Sequence, residues 1–408
     1  MRQYTIDGGR CLYLSKYEER ILKGEYGYAK QKAMEILVAL GDLYDAERLI
    51  PISSAQIAGV SYTSLGDEGL EWLETLTDGR VDVLSTLNPS GMDLDKWRFM
   101  GIPVEYASKQ IKIIEAYVKL GILPICTCTP YLSGNLPTPG SHIAWSESSA
   151  VAFANSVLKA KTNREGGPSA LAAALVGRTP FYGLHLDENR RSNVTVKVEM
   201  DLEDVWEYSV LGFWMGRILK GGVVPFIEGL KQNDLDRVKA IGAAMASSSS
   251  LNMFTADILG DTKPYPCETI SFDNFTFKDV LETLPDTSID KGEIDIVCLG
   301  CPHLSLEELR RIARLLKGRK VRSDMKLWLF TSRAVYSAAE RCGFIEEIES
   351  SGGEVYRDAC PALAPLSAIG YTVMATDSLK MWFYGRHLAG VKTLFLPITE
   401  CIEVSTRR

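Results

Sequence analysis

Apolar residues recur along this chain with two periods, and the switching between them sets the expected architecture. Residues 15–18, Ser-Lys-Tyr-Glu, have the spacing of a helix capping box, and residues 29–46 carry an apolar stripe at helical period. Residues 51–69 break the pattern. Beyond residue 80, short apolar runs predict strands at 81–87, 122–127, 182–186, 194–198, 223–227 and 253–258. Helical stripes at 107–120, 148–158, 169–176, 202–219 and 235–245 separate them, and a looser segment, 260–266, follows. The carboxy-terminal stretch is the clearest, with strands at 294–299, 326–330, 355–357, 371–375 and 391–396 and helices at 305–316, 334–342 and 379–388. The run 294–299 is apolar at every position but Asp295, as in a parallel strand covered on both faces. Alternating short strands and helices predict an α/β fold of doubly wound layers. Residues 290–408 read as one doubly wound domain and 1–289 as an amino-terminal and middle α/β region with room for two subdomains.

Composition narrows the classes of partner. With 46% hydrophobic and 24% charged residues over 408 positions, the chain is neither disordered, collagen-like nor coiled coil. Its 45 basic against 52 acidic residues give a net charge of −7, and no dense basic run occurs, so neither nucleic acid nor an anionic membrane is an expected partner. The amino terminus lacks a secretory pattern, and no apolar stretch reaches the ~18 residues that span a bilayer, so a cytoplasmic location is expected. Nine cysteines, an odd number in a chain too large to need staples, read as thiols.

Three of those cysteines share a context. Cys128, Cys301 and Cys360 each lie at or just past the carboxyl end of a predicted strand and close before a proline. Ligands collect at that edge of open α/β sheets. Thiolates from separate loops could hold an iron-sulfur cluster and leave one iron free of protein ligands, a dehydratase arrangement; scattered structural thiols or a zinc site are the alternatives. Cys126 forms a Cys-x-Cys pair with Cys128 and reads as a neighbour of the site or a substitute ligand. Cys298, Cys342, Cys11, Cys267 and Cys401 read as small buried hydrophobes. Of the four histidines, only His303, in Cys301-Pro302-His303, falls beside the proposed cluster, as a donor to sulfide or a helix cap. The loops around Gly59, Val60 and Ser61, Asn88 and Pro89, Glu147 and Ser148, and Arg164 are rich in glycine, hydroxyls and helix starts that suit anions, although each also reads as an ordinary turn or cap. Lys380, one turn into a helix, suits a carboxylate or phosphate if buried.

With these residues in place, the chain resembles the aconitase X family, and within it the large chain of the two-chain archaeal type. The resemblance rests on Ser54-Ala55-Gln56-Ile57-Ala58-Gly59-Val60-Ser61-Tyr62, Thr86-Leu87-Asn88-Pro89-Ser90-Gly91, Thr127-Cys128-Thr129-Pro130, Trp145-Ser146-Glu147-Ser148-Ser149, Thr162-Asn163-Arg164-Glu165-Gly166-Gly167, Gly300-Cys301-Pro302-His303, Asp358-Ala359-Cys360-Pro361 and Thr376-Asp377-Ser378-Leu379-Lys380. It implies that Cys128, Cys301 and Cys360 ligate an iron-sulfur cluster, 4Fe-4S, or 3Fe-4S once the open iron is lost. It also implies that Gly59, Val60, Ser61, Asn88, Pro89, Glu147, Ser148 and Lys380 contact substrate. Single-chain members carry a fused swivelling domain that these 408 residues do not supply, so a small swivel-domain subunit is the implied partner and the source of the base, a serine. The implied reaction is elimination of water from (R)-5-phosphomevalonate to trans-anhydromevalonate 5-phosphate, with Lys380 stabilising charge at the carboxylate. A family member acting on cis-3-hydroxy-L-proline and a noncatalytic, zinc-binding assembly subunit are the alternatives.

Overall fold

A computed structural model describes residues 2–4, 12–264, 267–284 and 289–407. Three parallel sheets organise it. The first has the strand order Leu84–Leu87, Ser54–Ile57, Ala144–Trp145, all parallel. It is backed by the helices Tyr28–Leu43 and Gly167–Val176, whose small residues Ala29, Ala33, Ala170 and Ala173 let the backbones approach within one apolar cluster. The second runs Thr255–Ala256, Pro225–Glu228, Val194–Val198, Glu268–Phe272. Its helices Val205–Ile218 and Leu235–Ser248 touch so closely at Gly212 that a Cβ there would clash with the Ile241 carbonyl oxygen.

The third sheet has five parallel strands in the order Glu354–Arg357, Lys326–Thr331, Ile296–Leu304, Val373–Thr376, Lys392–Phe395. Period-two alternation divides its residues between two cores. Ile296, Cys298, Trp328, Phe330 and Met374 face one, while Val297, Leu299, Leu327, Leu329 and Ala375 face the other. Chain order reverses between the strands Ile296–Leu304 and Val373–Thr376, a switch point that opens a crevice beyond their carboxyl ends. The α/β class expected from the sequence is the observed one.

Several elements differ from expectation. Residues 122–127 form an extended connection rather than a strand, bound through the Leu123 amide to the Ser85 carbonyl and the Thr127 amide to the Leu87 carbonyl. The alternating apolar residues at 182–186 enter the short helical turn Gly183–His185, started by Gly183 at φ +56°. The strand expected to end at 299 continues to Leu304 through a register shift, so Cys301 lies within a bulged strand instead of past its end. Gly300, at φ +107°, makes that bulge possible. The helix expected over 379–388 is the helix Leu379–Tyr384 followed by a π-helical turn, Gly385–Ala389.

Candidate active site

The carboxyl edge of the first sheet supplies one wall of the crevice. After the strand Ser54–Ile57 the chain turns through Gly59 at φ +78°, and Ser61 caps the helix Tyr62–Glu74 by accepting from the Thr63 amide at 3.3 Å. Among the described residues the amides of Gly59, Val60 and Ser61 find no acceptor, leaving three consecutive N–H groups at a helix start. Gly167 packs behind them, where a Cβ would meet the Ala58 carbonyl oxygen at 2.6 Å. Asn88 follows the strand Leu84–Leu87, with its amide on the Ile57 carbonyl at 2.8 Å and its Nδ2 donating to Glu147 Oε2 at 3.3 Å. Its Oδ1 is buried without a partner, next to the buried Pro89. Glu147 caps the helix Ser148–Ser156, its Oε1 accepting from the Ser149 amide at 3.1 Å, Ser149 Oγ at 2.9 Å and Ser148 Oγ at 3.3 Å.

The third sheet supplies the opposite wall. Cys301 sits in the bulge, its carbonyl accepting from Ser378 Oγ, the cap of the helix Leu379–Tyr384. Leu379 and Trp382 anchor that helix in the apolar cluster of the second sheet, which fixes Lys380 on its inner face. Lys380 is 5% exposed; its Nζ forms an ion pair with Glu147 Oε1 and donates to Ser149 Oγ at 3.1 Å. Cys360 follows the strand Glu354–Arg357, and its amide donates to the Ser90 carbonyl at 3.1 Å. The two walls are therefore stitched together by Ser90 against Ala359 as well as by Lys380 against Glu147.

The thiols converge. The Cys301 and Cys360 thiols lie close enough to perturb each other's ionisation, and both feel the charge of Lys380, as does Cys128. Their interaction favours the Cys360 thiolate and, with burial, raises Cys301. Burial pushes Cys128 up to about 12, although Lys380 pulls the other way. Burial works against the charged form of Glu147 too, yet Lys380 and the Ser149 bonds outweigh it and hold the carboxyl at about 2. Burial opposes the charge of Lys380, and Glu147, Cys301 and Cys128 together raise it. The donor set, three soft sulfurs under one buried cation, fits an iron-sulfur cluster. Among the described residues no three His, Cys, Asp or Glu side chains are spaced to hold a single metal ion.

His303 joins the loops that carry these cysteines. Its amide donates to Cys128 Sγ at 3.1 Å, its Nδ1 lies 2.9 Å from Thr127 Oγ1 and its Nε2 2.7 Å from the Ala359 carbonyl. Burial holds the ring neutral, with its pKa down to about 4. Both ring nitrogens are thus engaged by protein groups, and Ser305, not His303, caps the following helix.

The other cysteines separate from the site. Cys126 belongs to the apolar core behind the first sheet, and Cys298 and Cys401 are core residues of the third. Cys267 is half-buried with Thr195 Oγ1 at 3.0 Å, and Cys342, expected to be buried, is exposed at a helix end. Cys11 lies outside the described residues. Arg164 reaches the Ala246 carbonyl at 3.0 Å and Tyr384 Oη at 3.4 Å, beside the Lys380 helix. Ser149, in the helix start the sequence marks as suited to anions, instead accepts from Lys380, and Thr127, which the sequence does not mark, forms part of the site beside Cys128.

This fold and site place the chain in a known class. It matches the aconitase X first domain over residues 11–188, the second domain over 192–282 and the third domain over 294–407, and it belongs to the aconitase X family. Among solved structures it is similar to the crystal structure of Thermococcus kodakaraensis aconitase X in the holo-form, with a TM-score of 0.88 and 44% identity over 96% of this chain and 99% of that one. It is 48% identical over 390 residues to the phosphomevalonate dehydratase large subunit of Methanothermobacter thermautotrophicus, covering 94% of this chain and 96% of the relative. The cis-3-hydroxy-L-proline dehydratase of Pseudomonas aeruginosa is 36% identical over 409 residues, which cover 96% of this chain and 70% of that relative.

Proposed function

We propose that this chain is the large subunit of a cytoplasmic iron-sulfur hydro-lyase that removes water from (R)-5-phosphomevalonate, giving trans-anhydromevalonate 5-phosphate in an archaeal-type mevalonate route to isoprenoids. The observation that carries this reading is the buried Lys380–Glu147 pair facing the thiols of Cys128, Cys301 and Cys360 across one crevice. The several relatives at 44–48% identity named phosphomevalonate dehydratase large subunit support the substrate over a hydroxyproline. Cys128, Cys301 and Cys360 would hold the cluster, 4Fe-4S in the working state. When bound, such a cluster with one iron free of protein ligands supplies a Lewis acid for the departing tertiary hydroxyl.

The chain's own residues divide the rest of the work. Lys380 meets the substrate carboxylate and stabilises the charge that develops there as the C2 proton leaves. The unpartnered amides of Gly59, Val60 and Ser61 form a cradle for the anionic phosphate. Asn88, with a buried Oδ1 lacking a partner, accepts from a substrate hydroxyl, and Pro89 and Ser148 shape the wall around it. Glu147, held at about 2 by its partners, is too weak a base for a carbon acid and instead orients Lys380. The base is assigned, as the family resemblance implies, to a serine on a small swivel-domain subunit, in keeping with relatives named as large subunits. The test is turnover of (R)-5-phosphomevalonate by the chain alone and after anaerobic mixing with the small subunit. Activity only in the mixture is expected, and full turnover by the rigorously purified chain would overturn the two-chain reading.

A further inference from the structure

His303 is fully enclosed, and its four polar atoms are committed to three other segments of the chain. The carbonyl of Ala359 can only accept, so Nε2 carries the ring proton and donates to it at 2.7 Å. Nδ1 is then an acceptor, and the Thr127 hydroxyl donates to it at 2.9 Å. Thr127 Oγ1 in turn accepts from the Thr129 amide at 3.1 Å and, with its single proton given to the imidazole, also accepts from Thr129 Oγ1 at 3.1 Å. The His303 amide donates to Cys128 Sγ at 3.1 Å. Its carbonyl accepts from the buried Nζ of Lys239, on the helix Leu235–Ser248, at 3.3 Å. Thr127 precedes Cys128, Ala359 precedes Cys360, and His303 itself stands two residues after Cys301. One imidazole therefore spans all three cysteine loops, and its backbone reaches a helix of the second sheet.

We propose that His303 is the positioning residue that holds the Cys128, Cys301 and Cys360 loops in mutual register, so that the cluster-binding arrangement persists before the cluster is inserted and after it is lost. A hydrophobic residue could fill the same space but could not specify the register. The imidazole donates from one edge and accepts at the other, and it satisfies both groups at once only when the Thr127 and Ala359 loops stand at one separation. Three cysteines on loops drawn from distant parts of the chain would otherwise have to be ordered by the cluster itself.

The inference rests on the cluster reading, and the experiment separates the two. The large and small subunits are prepared together anaerobically with wild-type chain, His303→Leu, His303→Gln, Thr127→Val and Thr127→Ser. Iron and acid-labile sulfide are assayed, bleaching by a chelator is timed, and the alkylation rate of the cysteines is measured in the cluster-free protein. Wild type without iron and sulfide would sink the cluster reading itself. With wild type loaded, His303→Leu is expected to bleach at least tenfold faster and to expose its cluster-free cysteines to alkylation. Thr127→Val should do the same to a smaller extent, Thr127→Ser should behave as wild type, and His303→Gln should recover part of the loss. Wild-type bleaching and alkylation rates in a folded His303→Leu chain would overturn the proposal. Should that variant fail to fold, folded Thr127→Val carries the decision, and wild-type rates there would overturn it equally.

Discussion

Replacing Lys380 by methionine keeps most of the side-chain volume and removes the cation from a site where it is 5% exposed. Glu147 is then left as a buried carboxylate with only the Ser149, Ser148 and Asn88 donors. The size of the loss follows from the carboxyl itself. Its fall from 4.5 to about 2 on folding corresponds to about 3 kcal/mol of stability at neutral pH. Lys380 is raised by a wider set of partners, including Cys301 and Cys128, so the carboxylate gives the conservative figure for the pair. The sign is that of a depressed acid: the contribution is complete above pH 4.5 and disappears as pH falls through about 2. Breaking one side of a buried pair costs about 3–5 kcal/mol, in the same range. The assay is denaturant unfolding of wild type, Lys380→Met, Glu147→Gln and the double variant, with turnover measured on each after reconstitution. Lys380→Met should lose about 3 kcal/mol and the double variant should regain much of it, giving a coupling well above the ~0.5 kcal/mol scatter of independent sites. Turnover should fall about a hundredfold in both chains that lack Lys380, since the charge-assisted contact is worth roughly 2–3 kcal/mol and is not rebuilt by Gln. An unchanged unfolding midpoint in Lys380→Met, or activity restored in the double variant, would refute the reasoning.

Other expectations follow from the same geometry. Cys128→Ser, Cys301→Ser and Cys360→Ser should each bleach the anaerobic protein and lower its iron and sulfide, whereas Cys342→Ser, at an exposed position away from the crevice, should leave both unchanged. Gly167→Ala would press a methyl group toward the Ala58 carbonyl at 2.6 Å and shift the amides of Gly59 to Ser61, raising KM for the phosphorylated substrate more than it lowers kcat. His185 is buried against His142 with its Nε2 unpartnered, and burial lowers its pKa from 6.5 to about 3. Protons therefore favour the unfolded chain as pH falls below 6.5, so wild type should lose about 2 kcal/mol more than His185→Asn between pH 7.5 and 5, read from unfolding midpoints. Equal losses would show that the ring is not held neutral.

Much of the fold is written in local periodicity, and the parts that are not have physical reasons. The strand Val194–Val198 falls where alternating β-branched residues put it, and the five strands of the third sheet announce themselves as short apolar runs between helical stripes. The strand Glu268–Phe272 and the helix Asn274–Glu282 escaped notice because only Phe272 and Val280 of their residues are buried, which leaves little apolar pattern to read. Strand ends and prolines, which are local signals, single out Cys128, Cys301 and Cys360 in the sequence, but the structure divides them between two sheets, with Cys128 after the extended connection beside the first and Cys301 inside a strand of the third. The sequence does not show that Lys380 pairs with Glu147, 233 residues away, since nothing local marks either as the other's partner. The role of His303 is hidden for the same reason. Its position beside Cys301 suggested contact with the cluster, but long-range bonds to Thr127 and Ala359 occupy the ring. Cys126 shows the converse: two residues from Cys128 it reads as a neighbour of the site or a substitute ligand, yet without a strand at 122–127 it turns into the apolar core.

Dehydration of a phosphorylated hydroxy acid is the activity proposed for this site. It is tested most directly by offering the anaerobically reconstituted pair (R)-5-phosphomevalonate, unphosphorylated mevalonate and cis-3-hydroxy-L-proline side by side and following loss of water by mass spectrometry. The expected kcat/KM for (R)-5-phosphomevalonate exceeds that for the other two by at least a hundredfold, as loss of a bound dianion costing roughly 3 kcal/mol requires. Comparable rates with mevalonate, or a preference for the hydroxyproline by a fully loaded enzyme, would contradict it.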